Sequence, residues 1–238
     1  SECLGIEHAR IRVVAPDVGG GFGYKGILLP EEICLAWAAI KLGHPLKWLE
    51  DRRENLIASS NCREHHYTIT VYGDANGKLL AIDAEATVDA GAYSSYPFSA
   101  CLEAAQVVSI LPGVYDLEGS RCRTYAVATN KPPILPYRGV ARCGVCTALE
   151  LMVDALAREL AIEPTEVRFQ SLIGPEQMPF NNITSKHFDS GDYPELLRMA
   201  VAAIDLVTVR ERQKRGEPDG RLIGLGISVF SEQTAHGT

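Results

Sequence analysis

Eight consecutive residues, Gly19-Gly20-Gly21-Phe22-Gly23-Tyr24-Lys25-Gly26, include five glycines. Glycine loses more conformational freedom on folding than any other residue, so such a run needs a reason. It has one where backbone must approach a ligand closely and present N–H groups to an anion or a polar cofactor. Gly21-Phe-Gly23-Tyr-Lys-Gly26 also fits G-x-G-x-x-G, with an apolar stretch before it, a helix after it and Glu50 some two dozen residues on. That combination could hold a dinucleotide. Two features oppose it. Pro16-Asp17-Val18 separates the apolar stretch from the glycines, and the helix begins only near Pro30, whereas a dinucleotide loop opens directly into its helix. A phosphate-cradling loop needs Gly-Lys-Ser/Thr, and Lys25 stands between Tyr24 and Gly26. The plain alternative is a glycine-rich turn between strand and helix.

Other chemistry-bearing residues have bland explanations. Cys143-Gly-Val-Cys146 has the spacing of a redox pair, but no second pair or histidine cluster accompanies it, so a zinc site lacks ligands. Two small buried side chains at a helix start explain it, with a redox-active pair as the alternative. His65 and His66 are adjacent on a strand and point to opposite faces, so they cannot share one metal. His187 and His236 lie in loops and could line a site, with solvated surface histidine the plainer reading. Glu31 and Glu32 suit a first helical turn, and the Arg210–Arg215 run suits a last one. Asp51-Arg52-Arg53-Glu54 reads as a salt-bridged turn.

The elements that would position these groups follow from periodicity. Ile11–Ala15 reads as a buried strand and Leu46–Glu50 as a short one. Ile33–Leu42 is apolar nearly all round and predicts a buried helix ended by Gly43. Tyr67–Tyr72 and Leu80–Ala90 form the clearest hairpin, turning at Asp74–Gly77. Along its second strand Leu80, Ile82, Ala84, Ala86, Val88 and Ala90 alternate with polar residues. Ser94–Pro112 predicts a loop and a short apolar helix, and Gly119–Ala128 a strand. Pro132, Pro133 and Pro136 stiffen the approach to Tyr137-Arg138-Gly139. A helix over about Gly144–Leu160 carries Leu149, Met152, Val153, Leu156 and Leu160 inward and Glu150, Asp154 and Arg158 outward. A short helix starts at Pro164, one or two amphipathic helices fill Asp192–Arg215, and Arg221–Phe230 reads as a strand. This mixture predicts an α+β fold, with helices packed on mostly antiparallel sheets.

At 238 residues the chain can bury a core as one large domain or two small ones; the reading is one domain over 1–238 with a sub-boundary near 174–192. A net charge of −7 opposes a nucleic-acid partner. No run approaches the ~18 apolar residues of a membrane span. Seven cysteines in a chain this size suggest a reducing, cytoplasmic setting. The lack of an initiator Met suggests a processed chain or a piece of a longer one.

Two separated segments carry a family resemblance. Pro16–Lys25 resembles the GGFG loop of the molybdopterin-binding subunit in the xanthine oxidase / aldehyde oxidase family. Pro136-Tyr137-Arg138-Gly139-Val140-Ala141-Arg142 resembles that family's second cofactor loop. Trp48–Arg52 and Asp89–Tyr93 are similar to connecting segments, in the same order. The resemblance implies the α+β molybdopterin-binding domain and a molybdenum–pyranopterin cofactor, usually a dinucleotide form in bacteria. Its sulfur ligands would come from the pterin, so no protein ligand cluster is expected. It places Gly20, Gly21, Phe22, Gly23, Arg138, Gly139 and Val140 on the cofactor, with Phe22 and Arg138 beside the metal without ligating it. The implied reaction is oxidative hydroxylation with oxygen from water, acting on an aldehyde or an N-heterocyclic aromatic. Electrons would leave through an iron–sulfur subunit or domain and often an FAD subunit.

Departures from the family pattern narrow the reading. Gly139 stands where the carbon monoxide-oxidising branch has a copper-holding cysteine. Gly26 stands where the xanthine branch has a glutamate, and Val140 where it has a substrate-sandwiching aromatic, so both are substrate-pocket candidates. Cys143 sits where relatives often have proline. The family's catalytic glutamate lies near the far end of a much longer subunit, so no catalytic residue is expected within this chain and the isolated chain should be inactive. The alternatives are an NAD(P)-binding dehydrogenase domain on Gly21, Gly23, Gly26 and Glu50, and a non-catalytic scaffold domain.

Overall fold

A computed structural model describes residues 1–232. His236 and the closing Gly237-Thr238 turn lie outside the described residues. The chain divides into two compact units of interleaved stretches. One comprises Ser1–Glu64, Val88–Glu103 and Ala126–Val140; the other comprises His65–Thr87, Ala104–Tyr125 and the chain from Ala141 onward.

The second unit is built on the predicted hairpin. Strand β1 is His65–Gly73 and β2 is Leu79–Gly91. Asp74 makes the turn: its Oδ1 accepts N–H groups of Asn76 and Lys78, both at 2.9 Å, while Gly77 takes φ 91°. These hydrogen bonds hold the Asp74 carboxyl below its usual range. Leu79, rather than Leu80, is the buried residue at the start of β2, and Ile82, Ala84 and Ala86 follow inward. Strand β3, Gly119–Ala128, lies beside β2 in the order β1-β2-β3. Arg121 pairs with Asp83 and Arg123 with Glu85, stepping the same way along both strands, so β3 runs parallel to β2. The β1–β2 hairpin is antiparallel, as is the two-residue pair β4 (Phe180–Asn181) with β5 (His187–Phe188). Helix α3, Leu102–Ile110, provides the crossover between the parallel strands.

Helix α4, Arg142–Leu160, packs on β1 and buries Val145, Leu149, Val153 and Ala157, a stripe at helical spacing. Each of the larger three stabilises the fold by about 1.5–3 kcal/mol through burial. One expectation fails on this helix. Glu150 is only 4% exposed, because Tyr115 and Arg168 hold its carboxylate inside. Helix α5, Pro164–Phe169, contributes that arginine. The Asp192–Arg215 stretch forms two helices, α6 (Tyr193–Ala203) and α7 (Leu206–Arg215). Asp192 caps the first through the Glu195 N–H at 2.9 Å, and Asp205, in left-handed backbone at φ 48°, breaks the run. Arg221–Phe230 is not a ladder strand. It lies extended against the unit, its backbone held by side chains: Arg168 donates to the Ile227 carbonyl at 3.1 Å and Val229 N–H donates to Glu150 at 3.1 Å.

The first unit departs further from expectation. Ile11–Ala15 and Leu46–Glu50 are not strands, and Val13 and Leu49 are 88% and 80% exposed. A strand needs a neighbour's backbone, and neither stretch has one among the described residues. Helix α1, Pro30–Leu42, forms and ends at Gly43 as expected, but it buries no residue. Asp51–Glu54 is a capping box opening α2, Arg52–Ala58, rather than a salt-bridged turn: Asp51 accepts from Glu54 N–H at 2.7 Å and Glu54 from Asp51 N–H at 2.9 Å. The interior of this unit is Ile27, Val88, Ala90, Ile134 and Leu135.

Asp89 ties these parts together. It accepts from Thr129 Oγ1 at 2.7 Å, from Gly91 N–H at 2.9 Å and from Lys131 Nζ at 2.9 Å. The Thr129 hydroxyl, then Lys131, pull its pKa from 3.8 to about 2. Lys131, which also pairs with Glu64, is raised in return. A carboxylate depressed by folding stabilises the protein above pH 3.8 and loses that contribution as pH falls through about 2. Asp89→Asn should therefore melt below the unmodified protein at pH 7. Melting curves taken down to pH 2 should show the difference shrink; a gap independent of pH would refute the assignment.

Candidate functional site

The candidate site lies within the first unit, where residues near 22, 63 and 138 meet. Arg138 N–H donates to the Phe22 carbonyl at 2.8 Å, joining the two glycine-bearing loops directly. Gly23 carries the closest approach. At φ 96°, a Cβ built on it would stand 2.3 Å from the Pro136 carbonyl oxygen, a separation no side chain tolerates. Only glycine lets the first loop lie on the second. Gly91 plays the same part against Pro132, where a Cβ would meet the carbonyl oxygen at 2.1 Å.

Both loops hold strained backbone. Phe22 and Val140 each adopt φ 50°, and Arg63 adopts φ 66°. Left-handed backbone is rare for non-glycine residues and a true outlier for a β-branched valine. Three of the six such residues among those described meet here, and strain of this kind concentrates at ligand-binding sites. It turns the first loop so that N–H groups of Gly20, Gly21, Phe22 and Gly23 donate to no protein acceptor among the described residues. In the second loop the Arg138 and Val140 amides are engaged, the latter on the Tyr137 carbonyl at 2.7 Å, while Gly139 N–H is not. These unspoken-for donors, with Arg138 exposed beside them, suit oxygens of an anionic ligand. A cavity of about 520 Å³ opens here, lined by Gly20, Gly21, Phe22, Lys25, Arg52 and Tyr137 among others.

The predicted residues are thus partly gathered. Gly20, Gly21, Phe22 and Gly23 meet Arg138, Gly139 and Val140 across the Phe22–Arg138 bond. Gly26 instead faces Phe98, whose ring edge would stand 3.4 Å from a Cβ on that glycine. Periodicity gave no signal for Arg63, Asn61 or Phe98. Asn61 accepts Leu135 N–H and donates to Pro133, both at 3.1 Å, so the 61–63 stretch braces the second loop.

The dinucleotide reading fails here. No strand feeds the glycines; a single 3-10 turn, Tyr24–Gly26, follows them, and α1 opens only at Pro30. The glycines themselves do not open into a helix, and Glu50 is engaged by Asn55 at 3.0 Å. The Cys143–Cys146 reading also shifts. Cys143 is exposed and Cys146 half-buried, so the pair is not the buried one expected. Burial pushes the Cys146 thiol up, away from the reactive thiolate. Among the described residues no group of His, Cys, Asp and Glu could hold a metal ion, and no helix is long and apolar enough to cross a membrane.

A family model described as molybdopterin cofactor-binding domain matches residues 1–172, a span that includes both loops. The chain belongs to the molybdopterin cofactor-binding domain family. Relatives agree with this assignment. The nicotine 6-hydroxylase large subunit of Paenarthrobacter nicotinovorans is 34% identical over 99% of this chain and 29% of its own length. The carbon monoxide dehydrogenase large chain of Hydrogenophaga pseudoflava is 34% identical over 98% of this chain and 30% of its own. Among solved structures, quinoline 2-oxidoreductase from Pseudomonas putida 86 superposes with a TM-score of 0.86 at 34% identity, covering 90% of this chain and 27% of that one. The α+β molybdopterin-binding fold is therefore the fold of this chain. The chain spans about 30% of the length of these relatives.

Proposed function

We propose that these 238 residues form one cofactor-gripping domain of a longer molybdenum hydroxylase subunit, acting on an aldehyde or an N-heterocyclic aromatic. The observation that carries this reading is the 2.8 Å bond joining the Phe22 and Arg138 loops, with unengaged amides on both. Gly20–Gly23 and Gly139 would offer N–H groups to cofactor oxygens, and Arg138 would offset their charge. Phe22 and Arg138 would flank the metal without ligating it, Val140 would face the substrate, and Gly26 would do so with Phe98 beside it. When bound, the cofactor supplies two-electron oxidation coupled to oxygen transfer.

What the chain itself does is bind and orient. Strained loops held before the ligand arrives lose little further entropy on binding. Gly139, at φ 88°, offers no thiol for copper, which favours a carbon substrate other than carbon monoxide. Glu31 and Glu32 are first-turn residues, and Glu32 is occupied by Leu29 N–H at 2.9 Å, so the catalytic base is assigned to residues outside this chain. The pterin is taken to be a dinucleotide. Relatives named as a large subunit and as subunit gamma of a complex support partner subunits, which we take to carry iron–sulfur and FAD. The cytoplasm suits seven cysteines in a chain of this size.

The test uses the complete protein that carries this chain. Stoichiometric molybdenum, pterin fluorescence after oxidation and a nucleotide released by acid are expected, with indifference to NAD. Tight NAD binding without molybdenum would reject the reading, and a stable fold with neither ligand would mark a scaffold.

A further inference from the structure

We infer that Arg63 is a positioning residue for the cofactor, an inference that rests on the reading above. Its guanidinium makes three contacts with one short stretch. Nη2 donates to the Tyr137 carbonyl at 3.0 Å and also to the Arg138 carbonyl, while the guanidinium carbon lies 4.8 Å from the centre of the Tyr137 ring. A planar fork over an aromatic face is geometry that arginine provides and lysine does not.

The consequence for the second loop is orientation. A peptide unit has its carbonyl and its N–H on opposite sides, so fixing the Arg138 carbonyl fixes the direction of the Gly139 N–H in the same unit. That amide is the one in the Arg138–Val140 stretch without a backbone acceptor. The Tyr137 carbonyl, held by Arg63, also accepts Val140 N–H at 2.7 Å. Arg63 thus supports the turn that keeps Val140 at φ 50°. It is itself held at φ 66°, against a local preference for other backbone, and its Nε is buried with no acceptor among the described residues. A residue under strain, with one donor unsatisfied, is maintained by what it does to its neighbours. Removing it frees the Arg138 carbonyl, leaves the Tyr137 carbonyl with the Val140 N–H alone, lets the Arg138–Gly139 peptide rotate and misaims the Gly139 donor.

Arg63→Ala and Arg63→Lys in the complete, molybdenum-loaded protein test this. We expect Arg63→Ala to keep its melting temperature within a few degrees while kcat falls at least about tenfold, the equivalent of ~1.4 kcal/mol, at little change in KM. The paramagnetic resonance spectrum of the reduced metal centre should shift, and bound molybdenum should fall. Arg63→Lys should recover only part of each effect. A spectrum and molybdenum content identical to the unmodified protein would overturn the inference, even alongside a lower melting temperature, because a merely structural brace predicts that pattern. Full recovery by lysine would also overturn it. If the unmodified protein holds no molybdenum, the functional reading fails first, and the two failures are distinguishable.

Discussion

Gly23→Ala is expected to abolish most activity and to strip molybdenum from the complete protein, while far-ultraviolet dichroism stays unchanged. The new Cβ would stand 2.3 Å from the Pro136 oxygen, and ordinary contact begins near 3.4 Å, so the loops must separate by about an ångström. The Arg138 N–H to Phe22 bond, at 2.8 Å, cannot absorb that shift. Misplacement on this scale costs roughly a hundredfold in rate where groups must be aligned. The φ of 96° adds strain of its own. Gly19→Ala is the control, since nothing lies within 4 Å of a Cβ there. Equal molybdenum content and rate in the two variants would show that the loops are not a joint grip.

The second large effect is on stability. Glu150→Ala should destabilise the protein by about 3–5 kcal/mol, read from chemical denaturation. Glu150 accepts from Tyr115 Oη at 2.6 Å, from Arg168 Nε at 2.9 Å and from Val229 N–H at 3.1 Å. Arg168 is fully buried, and Asp154, at 2.8 Å, would remain as its one carboxylate partner. Burial, with the Glu150 charge beside it, pushes the Tyr115 phenol well above its usual range, so it stays a donor at any working pH. Losing Glu150 orphans two buried donors and the half-buried Val229 N–H, and releases the 227–229 stretch. Replacing Glu150 and Arg168 together by methionine should recover a large part of the loss, since the pair's own desolvation penalty disappears with it. A single variant as stable as the unmodified protein would contradict this account.

How much of this was legible depended on where each residue's partner lies. The β1–β2 hairpin could be read because Asp74, Asn76 and Gly77 make the turn locally and the apolar alternation needs only one covered face. Helix α4 could be read for the same reason, except at Glu150. A carboxylate in a helix reads as solvated, and the arginine that buries it lies 18 residues away on α5. The Ile11–Ala15 and Leu46–Glu50 stretches show the opposite failure. Their side chains signal burial, but a strand is defined by a neighbour's backbone, which apolar character does not name. In the site, Gly23, Phe22 and Arg138 were legible as types and order. Arg63 was not, because its role rests on a left-handed backbone and on contacts 74 and 75 residues away.

Anomalous diffraction from the complete protein, recorded on either side of the molybdenum absorption edge, tests the central claim most directly. The account predicts one peak beside the joined loops, near Phe22 and the Arg138–Gly139 peptide. A well-occupied peak elsewhere in the molecule, with these two loops still joined and nothing bound between them, would contradict it.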